Sequence, residues 1–579
     1  MYISRLVIRN FRNIKDLDVP LRDGVTSIVG ENNTGKTNLL HALRLVLDAD
    51  LPGYQRQLAP SDVTESESTR HPLQVLVALE FTDFEDDVDA SAFAAHLKIR
   101  ENLARITYRF RPNAKARDAI ESEELKPTEL TYDDYRYEIT GGGDCDPATV
   151  EWNEECGHGV RYSDISDYLV VFLHALRDVT ADLKSSRTSP LRRLLRALQL
   201  PAAEQEALVS ILAKANANIA KTKAVKDVGT LLQKRFADTA GNAFSLDLEL
   251  GMTSPTFASI EKHLTVLLSD DHHSSFEPSQ NGLGLNNVLY VAMLLEYFAN
   301  RREASAAAGS LLLIEEPEAH LHSQLQRVLF HTLRTHNVQT LITTHSTHIT
   351  SAGELDDFVV LTINEEGLVD GHVPRTNKRL TDLERADLNR FLDATKSTLL
   401  FARKVILVEG IAEQFLIPPF AEHVDEIDLD REGIAVIPIH GIHFAAFAKL
   451  FGPDGIRKRC AIVTDRDGKV SKDGRPPRGL GQYENDFVRV FACDTTLEKE
   501  LAMEGVLPAL LATAKELGDE DLAKTIDQDE VDLDTVAEET LSSAEYYRKG
   551  YFAQVLSKHL DTASDMPAHI RSAIEWVMK

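Results

Sequence analysis

Apolar and polar positions alternate over residues 2–9, the period of a strand. A short apolar run at residues 25–29 stops at Gly30. Past a glycine-containing loop, Leu39, Leu40, Leu43, Val46 and Leu47 recur at helical spacing. The chain therefore predicts strand, turn, strand, loop and helix at its start. Strand-like runs follow at 73–81 and 104–110. The acidic stretch 118–138, closed by Gly141, Gly142 and Gly143, predicts a solvated hairpin region or loop. Helical periodicity takes over from about 190 to 235, broken at Pro201. Alternation in FSLDLEL (244–250) predicts a strand, helix returns to about 300, and residues 311–314 and 340–343 read as buried strands. Residues 377–400 are charged and helical in pattern. Beyond them, short apolar runs beginning at 405, 434, 460 and 488 alternate with helical segments, the βαβ rhythm of a parallel sheet. The tail from about 500 is helical and acidic.

Composition narrows the class. A length of 579 residues suits three to four domains at roughly 150 residues each. With 43% hydrophobic and 27% charged residues the chain is globular. Lys plus Arg is 63 against 91 Asp plus Glu, a net charge of −28, which argues against charge-driven coating of nucleic acid. It leaves room for a nuclease whose basic residues are local. Four cysteines (Cys145, Cys156, Cys460 and Cys493) suit a reducing compartment. The longest largely apolar stretch, 168–176, is under half a membrane span and contains His174. The N-terminus lacks the apolar core of a signal peptide, so a cytoplasmic location is expected.

Residues 30–37, Gly-Glu-Asn-Asn-Thr-Gly-Lys-Thr, fit GxxxxGK[ST] between a strand and an amphipathic helix. Backbone N–H groups of such a loop wrap phosphate oxygens, and the helix N-terminus adds positive potential. Gly30, Asn32, Asn33, Thr34, Gly35 and Asn38 frame the loop, Lys36 is set to reach the β/γ-phosphates and Thr37 to ligate Mg²⁺. Downstream, LLLIEEPEAHLH (311–322) ends an apolar run in Glu315 and Glu316. One carboxylate suits a metal-bound water and the other, Glu316, suits polarising an attacking water. A second apolar run leads into Thr343-Thr344-His345-Ser346, which offers His345 to the γ-phosphate.

A second acidic set lies in the βαβ region. Glu409 closes one strand and Glu413 stands a helical turn later. Asp465 and Asp467 form a DxD at the end of another, and Glu498 follows a third. Five carboxylates at strand ends repel one another unless divalent cations intervene, and two such ions suit phosphodiester displacement. Residues 457–478 carry eight basic against three acidic residues, a local excess suited to a phosphate backbone. Lys549, in RKGYFAQVL, would offset charge on that phosphate. Cys145, Cys156 and His158 lack a fourth ligand and do not make a zinc site.

These elements resemble two known modules. The first resembles the ABC ATPase heads of SMC-like DNA-repair ATPases. Glu315 and Glu316 fall on the Walker B pair, residues 318–322 on the D-loop and His345 on the H-loop. Arg12, in an Asn-Phe-Arg-Asn opening motif, becomes a phosphate contact. Ser279 and Gly282 occupy the signature loop, without an LSGGQ-like sequence. Gln55, Gln57 and Asp62 are the Q-loop candidates. The resemblance implies a dimer that sandwiches ATP. The glutamate and DxD pattern is similar to the Toprim domain. An ABC head followed by Toprim is the arrangement of the OLD family of nucleases (overcoming lysogenisation defect), a group that includes the Gabija anti-phage nucleases.

The resemblance implies an α/β fold: an ABC-type ATPase head with a helical dimerisation insertion, then a C-terminal Toprim domain with a Rossmann-like parallel sheet. The expected segments are 1–180 and 241–380 for the ATPase, 181–240 for the insertion and 395–579 for Toprim. Glu409, Glu413, Asp465, Asp467 and Glu498 match the family's metal acids, with Glu409, Asp465, Asp467 and Lys549 catalytic. The implied cofactors are ATP with Mg²⁺ and two Mg²⁺ or Mn²⁺ ions at the Toprim acids. Implied partners are DNA, further copies of the chain and a UvrD-like helicase encoded nearby. The expected function is a metal-dependent DNA endonuclease. Its rivals are a topoisomerase- or primase-like Toprim enzyme and a non-catalytic, ATP-switched DNA clamp or scaffold.

Overall fold

The computed structural model describes every residue except 50, 176–182, 184–188, 199, 242–245, 270, 271, 305, 306, 394, 442 and 466–476. Two compact units emerge, one formed by Met1–Ala175 with Ala308–Lys579 and the other by Leu176–Ala307.

The first unit holds three sheets. An antiparallel one has the order β2-β1-β4-β6-β7-β8 with β5 on β6. These are β1 (Tyr2–Phe11), β2 (Ile14–Pro20), β4 (Val75–Thr82), β5 (Lys98–Arg100), β6 (Leu103–Pro112), β7 (Tyr135–Gly141) and β8 (His158–Gly159). A second has the order β13-β12-β3-β11-β10-β9, with β3 (Val25–Gly30), β9 (Tyr168–Leu173), β10 (Gly309–Glu315), β11 (Gln339–Thr344), β12 (Phe358–Ile363) and β13 (Val369–His372). All its neighbours are parallel except β12 and β13. The third, β15-β14-β16-β17, is wholly parallel: β14 (Lys404–Val408), β15 (Ile434–Pro438), β16 (Cys460–Asp465) and β17 (Val488–Cys493).

Period-two alternation explains why the third sheet is so apolar. Ile406 and Val408 join one core with Leu416, Phe420 and the C-terminal helices. Val405 and Leu407 point the other way, into a core shared with Val29 of β3 and Phe358 and Val360 of β12. Both faces are covered, as parallel sheets require. Lys458 fastens the same seam from its edge. It is buried, and its Nζ donates to the carbonyls of Leu400 (2.8 Å) and Ala402 (2.7 Å).

The second unit is helical: Pro190–Ala197, Ala202–Ala220, Lys223–Ala240, Phe257–His263 and Leu283–Glu303. It runs from Leu176 to Ala307 and ends with the helix Leu283–Glu303. Arg192 fixes two of its helices, donating to the carbonyls of Glu261 and Lys262.

Three readings of the chain change. Residues 118–138 are not all loop: Ala114–Glu121 is helix and β7 starts at Tyr135, where buried Tyr135 and Ile139 and a Glu138–Arg111 ion pair favour a strand. Residues 246–250 are not strand. Gln233 bonds the Leu246 carbonyl and the Leu248 N–H, occupying the groups that a neighbouring strand would need. Cys145 and Cys156 form a disulfide with Cα atoms 5.6 Å apart, whereas the cysteine count had suggested thiols. No helix among the described residues is long and apolar enough to cross a membrane.

Lys458→Met should lower stability by about 1–3 kcal/mol, because one buried and one part-buried carbonyl lose their donor. Denaturant unfolding of wild type and variant side by side measures this.

Candidate functional site

β3 delivers the chain into the loop 31–35, and Gly35 caps the helix Lys36–Leu47 in the left-handed region (φ 84). A side chain there would strain the backbone, and its Cβ would stand 2.9 Å from Asn13 Oδ1. The Thr34 hydroxyl donates to the Glu31 carbonyl at 2.9 Å. Lys36 folds back into the loop, its Nζ donating to the carbonyls of Gly30 (3.0 Å) and Glu31. Burial pushes its ammonium down to about 8, against the pull of Glu316 and Glu31. Asn32 and Asn33 on the loop and Thr37 in the first turn of the helix stay exposed.

Around this loop lies a cleft of about 1170 Å³, with Arg12, Asn13, Asn38, Glu316, Thr343 and His345 in its walls. Asn38 ties one wall together, accepting from Arg12 (2.9 Å) and donating to Asn13 (2.8 Å). Arg12 is also paired with Asp62 at 3.1 Å, so its guanidinium is already engaged at the cleft's rim. Gln55 is exposed and Gln57 bonds the Tyr135 carbonyl. Of the three Q-loop candidates only Asp62 touches a residue of the cleft wall, Arg12.

The parallel register carries Glu315 and Glu316 to the same edge of the sheet as Gly30 and Thr344. Glu315 accepts from the Thr37 hydroxyl. Its carboxyl is held at about 2, chiefly by His174, then by Thr37, against the opposing effect of burial. Glu316 sits in the left-handed region (φ 45), and its Oε1 lies 3.8 Å from His345 Nε2. Burial, reinforced by Lys36, pushes the His345 imidazole down to about 4. Glu318 accepts from Thr344 Oγ1 (2.9 Å) and the His345 N–H (2.6 Å), fixing that loop. Ser279 and Gly282 belong to the other unit. There Ser279 lies in a single turn, Pro278–Gln280, and Gly282 caps Leu283–Glu303.

The third sheet gathers the second acidic set. Glu409, just past β14, accepts from the Asp465 N–H (2.9 Å) and the Thr464 hydroxyl. Asp465 ends β16 and accepts from the Leu497 N–H (3.1 Å) and Cys493 Sγ (3.0 Å). Glu413, in the first turn of Ile411–Asp425, accepts from the Gly410 N–H at 3.1 Å. Glu498, in the short helix after β17, pairs with Lys549 at 3.1 Å. Glu413 and Glu498 are buried. Burial, together with Asp465, Glu409 and Glu498, pushes Glu413 up to about 7. Asp465 rises to about 6 through burial, with Glu409 and Glu498 adding and Cys493 opposing. Carboxyls that resist losing their protons mark an uncompensated negative site, although among the described residues no three acids converge closely enough to hold a metal ion by themselves.

Lys549 reaches this site because the backbone turns sharply before it. Arg548, at φ 74, joins the helices Leu533–Tyr547 and Lys549–Ser557. Gly550 then lets the second helix lie against Ile411, whose Cγ2 would be 2.4 Å from an added Cβ. Asp467, Arg466, Lys469, Lys472 and Arg475 lie outside the described residues. Of the other basic residues expected to face a phosphate backbone, three have structural partners. Arg457 pairs with Asp370, Lys458 is internal and Arg459 donates to the Trp576 carbonyl.

Sequence reasoning missed Thr464, Cys493 and His174. The first two flank the acids on β16 and β17, where polar character alone is no signal. His174 carried one: it is polar at the end of an apolar strand, as His345 is.

A phosphate-loop ATPase module and an acidic parallel-sheet module thus share one chain. Residues 1–140 and 172–350 match the AAA ATPase domain family, and residues 400–467 match the overcoming lysogenization defect protein-like TOPRIM domain. The chain belongs to the AAA ATPase domain family and carries an OLD-like TOPRIM segment. It is similar to the OLD nuclease of Thermus scotoductus, at 26% identity over 76% of this chain and 77% of the relative. It is also similar to endonuclease GajA of Bacillus cereus, at 23% identity over 84% and 77%. Among solved structures, the C-terminal region of the Burkholderia pseudomallei OLD protein matches at 30% identity over 31% of this chain and 97% of that chain, with TM-score 0.25.

The raised Glu413 makes a prediction. An unfolded glutamate ionises near 4.5 and the folded one near 7, so the folded state holds the extra proton between those values. Stability is therefore lost as pH rises through that window. At pH 8 without divalent cations, Glu413→Gln should be more stable than wild type by up to about 3 kcal/mol. The gain should vanish at pH 4 and shrink when Mg²⁺ is added, as read by thermal unfolding.

Proposed function

We propose that the chain is an ATP-binding, divalent-metal-dependent DNA endonuclease, cutting at the Toprim acids of segment 395–579 under control of the ATPase module. The observation that carries this reading is the gathering of Glu409, Glu413, Asp465 and Glu498 at one edge of a parallel sheet, with Lys549 beside them. Asp467, two residues beyond Asp465, is proposed to complete the set. Two bound Mg²⁺ or Mn²⁺ ions would supply Lewis acidity and an activated water for phosphodiester hydrolysis. The Asp465 N–H, donating to the Glu409 carboxylate, holds the acidic edge in register, and Lys549 offers positive charge to the phosphate.

In the ATPase module, Lys36 and the loop from Gly30 to Asn38 take the phosphates, Thr37 and Glu315 the Mg²⁺ and His345 the γ-phosphate, while Glu316 polarises the attacking water. Ser279 and Gly282 would serve the nucleotide of a second copy. Association of copies is supported by apolar side chains exposed on the helical unit, among them Ile211 (64%) and Leu231 (68%). The names of the relatives support a role in DNA cutting, and anti-phage defence in the cytoplasm, with a UvrD-like helicase as partner, is the setting we propose.

Supercoiled plasmid incubated with Mg²⁺ or Mn²⁺, with and without ATP, tests the reading. Wild type should nick or cut, and EDTA should stop it. Glu409→Ala should lose at least ~100-fold in rate while still binding a fluorescent ATP analogue. Lys36→Ala should lose that binding and any effect of ATP on cutting. Intact plasmid under every metal and nucleotide condition would favour the scaffold.

A further inference from the structure

We infer that Glu31 and Arg403 form the latch through which the state of the phosphate loop reaches the strand that leads to Glu409. The inference rests on the endonuclease reading above and gives its control by ATP a physical link. Arg403 Nε stands 3.1 Å from Glu31 Oε2, joining the loop after β3 to the residue before β14. Glu31 is mostly covered (19% exposed) and Arg403 is open (65%), so one end of the pair is fixed and the other is able to move.

Three cations share the field of the Glu31 carboxylate. Besides Arg403 these are Lys36 and the buried Lys458, whose ammoniums burial pushes down to about 8 while Glu31 opposes the fall in each. Lys36 itself bonds the Gly30 and Glu31 carbonyls. Phosphate oxygens in the loop draw Lys36 away and bring negative charge towards Glu31. The carboxylate then depends on Arg403 and Lys458, so nucleotide tightens the pair.

Arg403 also has a second place to go. A cavity of about 500 Å³ beside the pair is lined by Asp430 and Glu432 as well as by Glu31 and Arg403. The guanidinium therefore has two arrangements, on the phosphate loop or on the 430–432 turn, and a coupling element needs two. The strand feels either one. The Arg403 and Lys404 N–H groups both donate to the Gly433 carbonyl at 3.1 Å, pinning the entry of β14 to that of β15. From there β14 runs to Val408, with Glu409 next. Linkage between binding events is reciprocal, so Arg403 also supports nucleotide affinity.

The test uses the full chain with Mg²⁺ and a slowly hydrolysed ATP analogue. In wild type the analogue should slow amide hydrogen exchange at residues 403–409 and change the rate of plasmid cutting. Arg403→Gln should bind the analogue about two- to fivefold more weakly, the span of a single ion pair. At saturating analogue it should show neither response, while its cutting without nucleotide stays at the wild-type rate. Arg403→Lys should keep both responses. In a Glu31→Gln background, Arg403→Gln should cost no further affinity. A wild-type response in saturated Arg403→Gln, or wild type that binds the analogue with unchanged exchange at 403–409, would overturn the latch and leave the nucleotide site standing. Loss of nucleotide-free cutting in Arg403→Gln would mark a purely structural role and overturn it as well. Plasmid left intact by wild type would count against the endonuclease reading alone, since exchange and affinity read the latch without it. Wild type that binds no analogue would overturn the nucleotide reading and the latch together.

Discussion

Like charges held together at the ends of parallel strands are the constraint on which this molecule turns. Parallel pairing sends every strand's carboxyl end to the same edge, so acids that are far apart in sequence meet there. In the third sheet Glu409, Glu413, Asp465 and Glu498 meet in partial burial, and the result is legible in carboxyls that rise to about 6 and 7. The surrounding structure absorbs part of that repulsion. The Thr464 hydroxyl, the Asp465 and Leu497 N–H groups and the Gly410 N–H each hold one oxygen, and Lys549 neutralises one charge. The second sheet solves the same problem differently, since the Lys36 ammonium, the Thr37 hydroxyl and His174 share the space around Glu315 and Glu316.

Much of this was readable from the chain, for identifiable reasons. A loop of fixed spacing between strand and helix needs only local sequence, so residues 30–37 declared themselves. Strands buried on both faces are continuous apolar runs, so β10, β11, β14 and β16 were visible along with the acids that end them. What was lost depended on contacts between distant residues. Residues 246–250 alternate like a strand, yet one glutamine from a neighbouring helix takes their backbone groups. Residues 118–138 read as a solvated hairpin region or loop, and the strand at its end is stabilised by Glu138 meeting the buried guanidinium of Arg111 across the β6–β7 pair.

Functional residues followed the same division. Glycines, lysines and paired acids in motifs could be found one by one. His174 carried a weaker signal, a polar residue ending an apolar strand, and its place beside Glu315 depends on β9 lying next to β10, an adjacency that joins segments about 140 residues apart in sequence. Arg12 shows the opposite case: its motif was plain, and its partners Asp62 and Asn38 were not.

The core between the second and third sheets has a genetic meaning. Val29, Phe358 and Val360 stand behind the phosphate loop, Val405, Leu407 and Ile462 behind the acidic strand ends, and all six fill one apolar volume. Damage to any of them is inherited by both sites at once. Alleles that separate nucleotide handling from phosphodiester chemistry must therefore arise at the polar strand ends, while the seam beneath them behaves as a single pleiotropic locus.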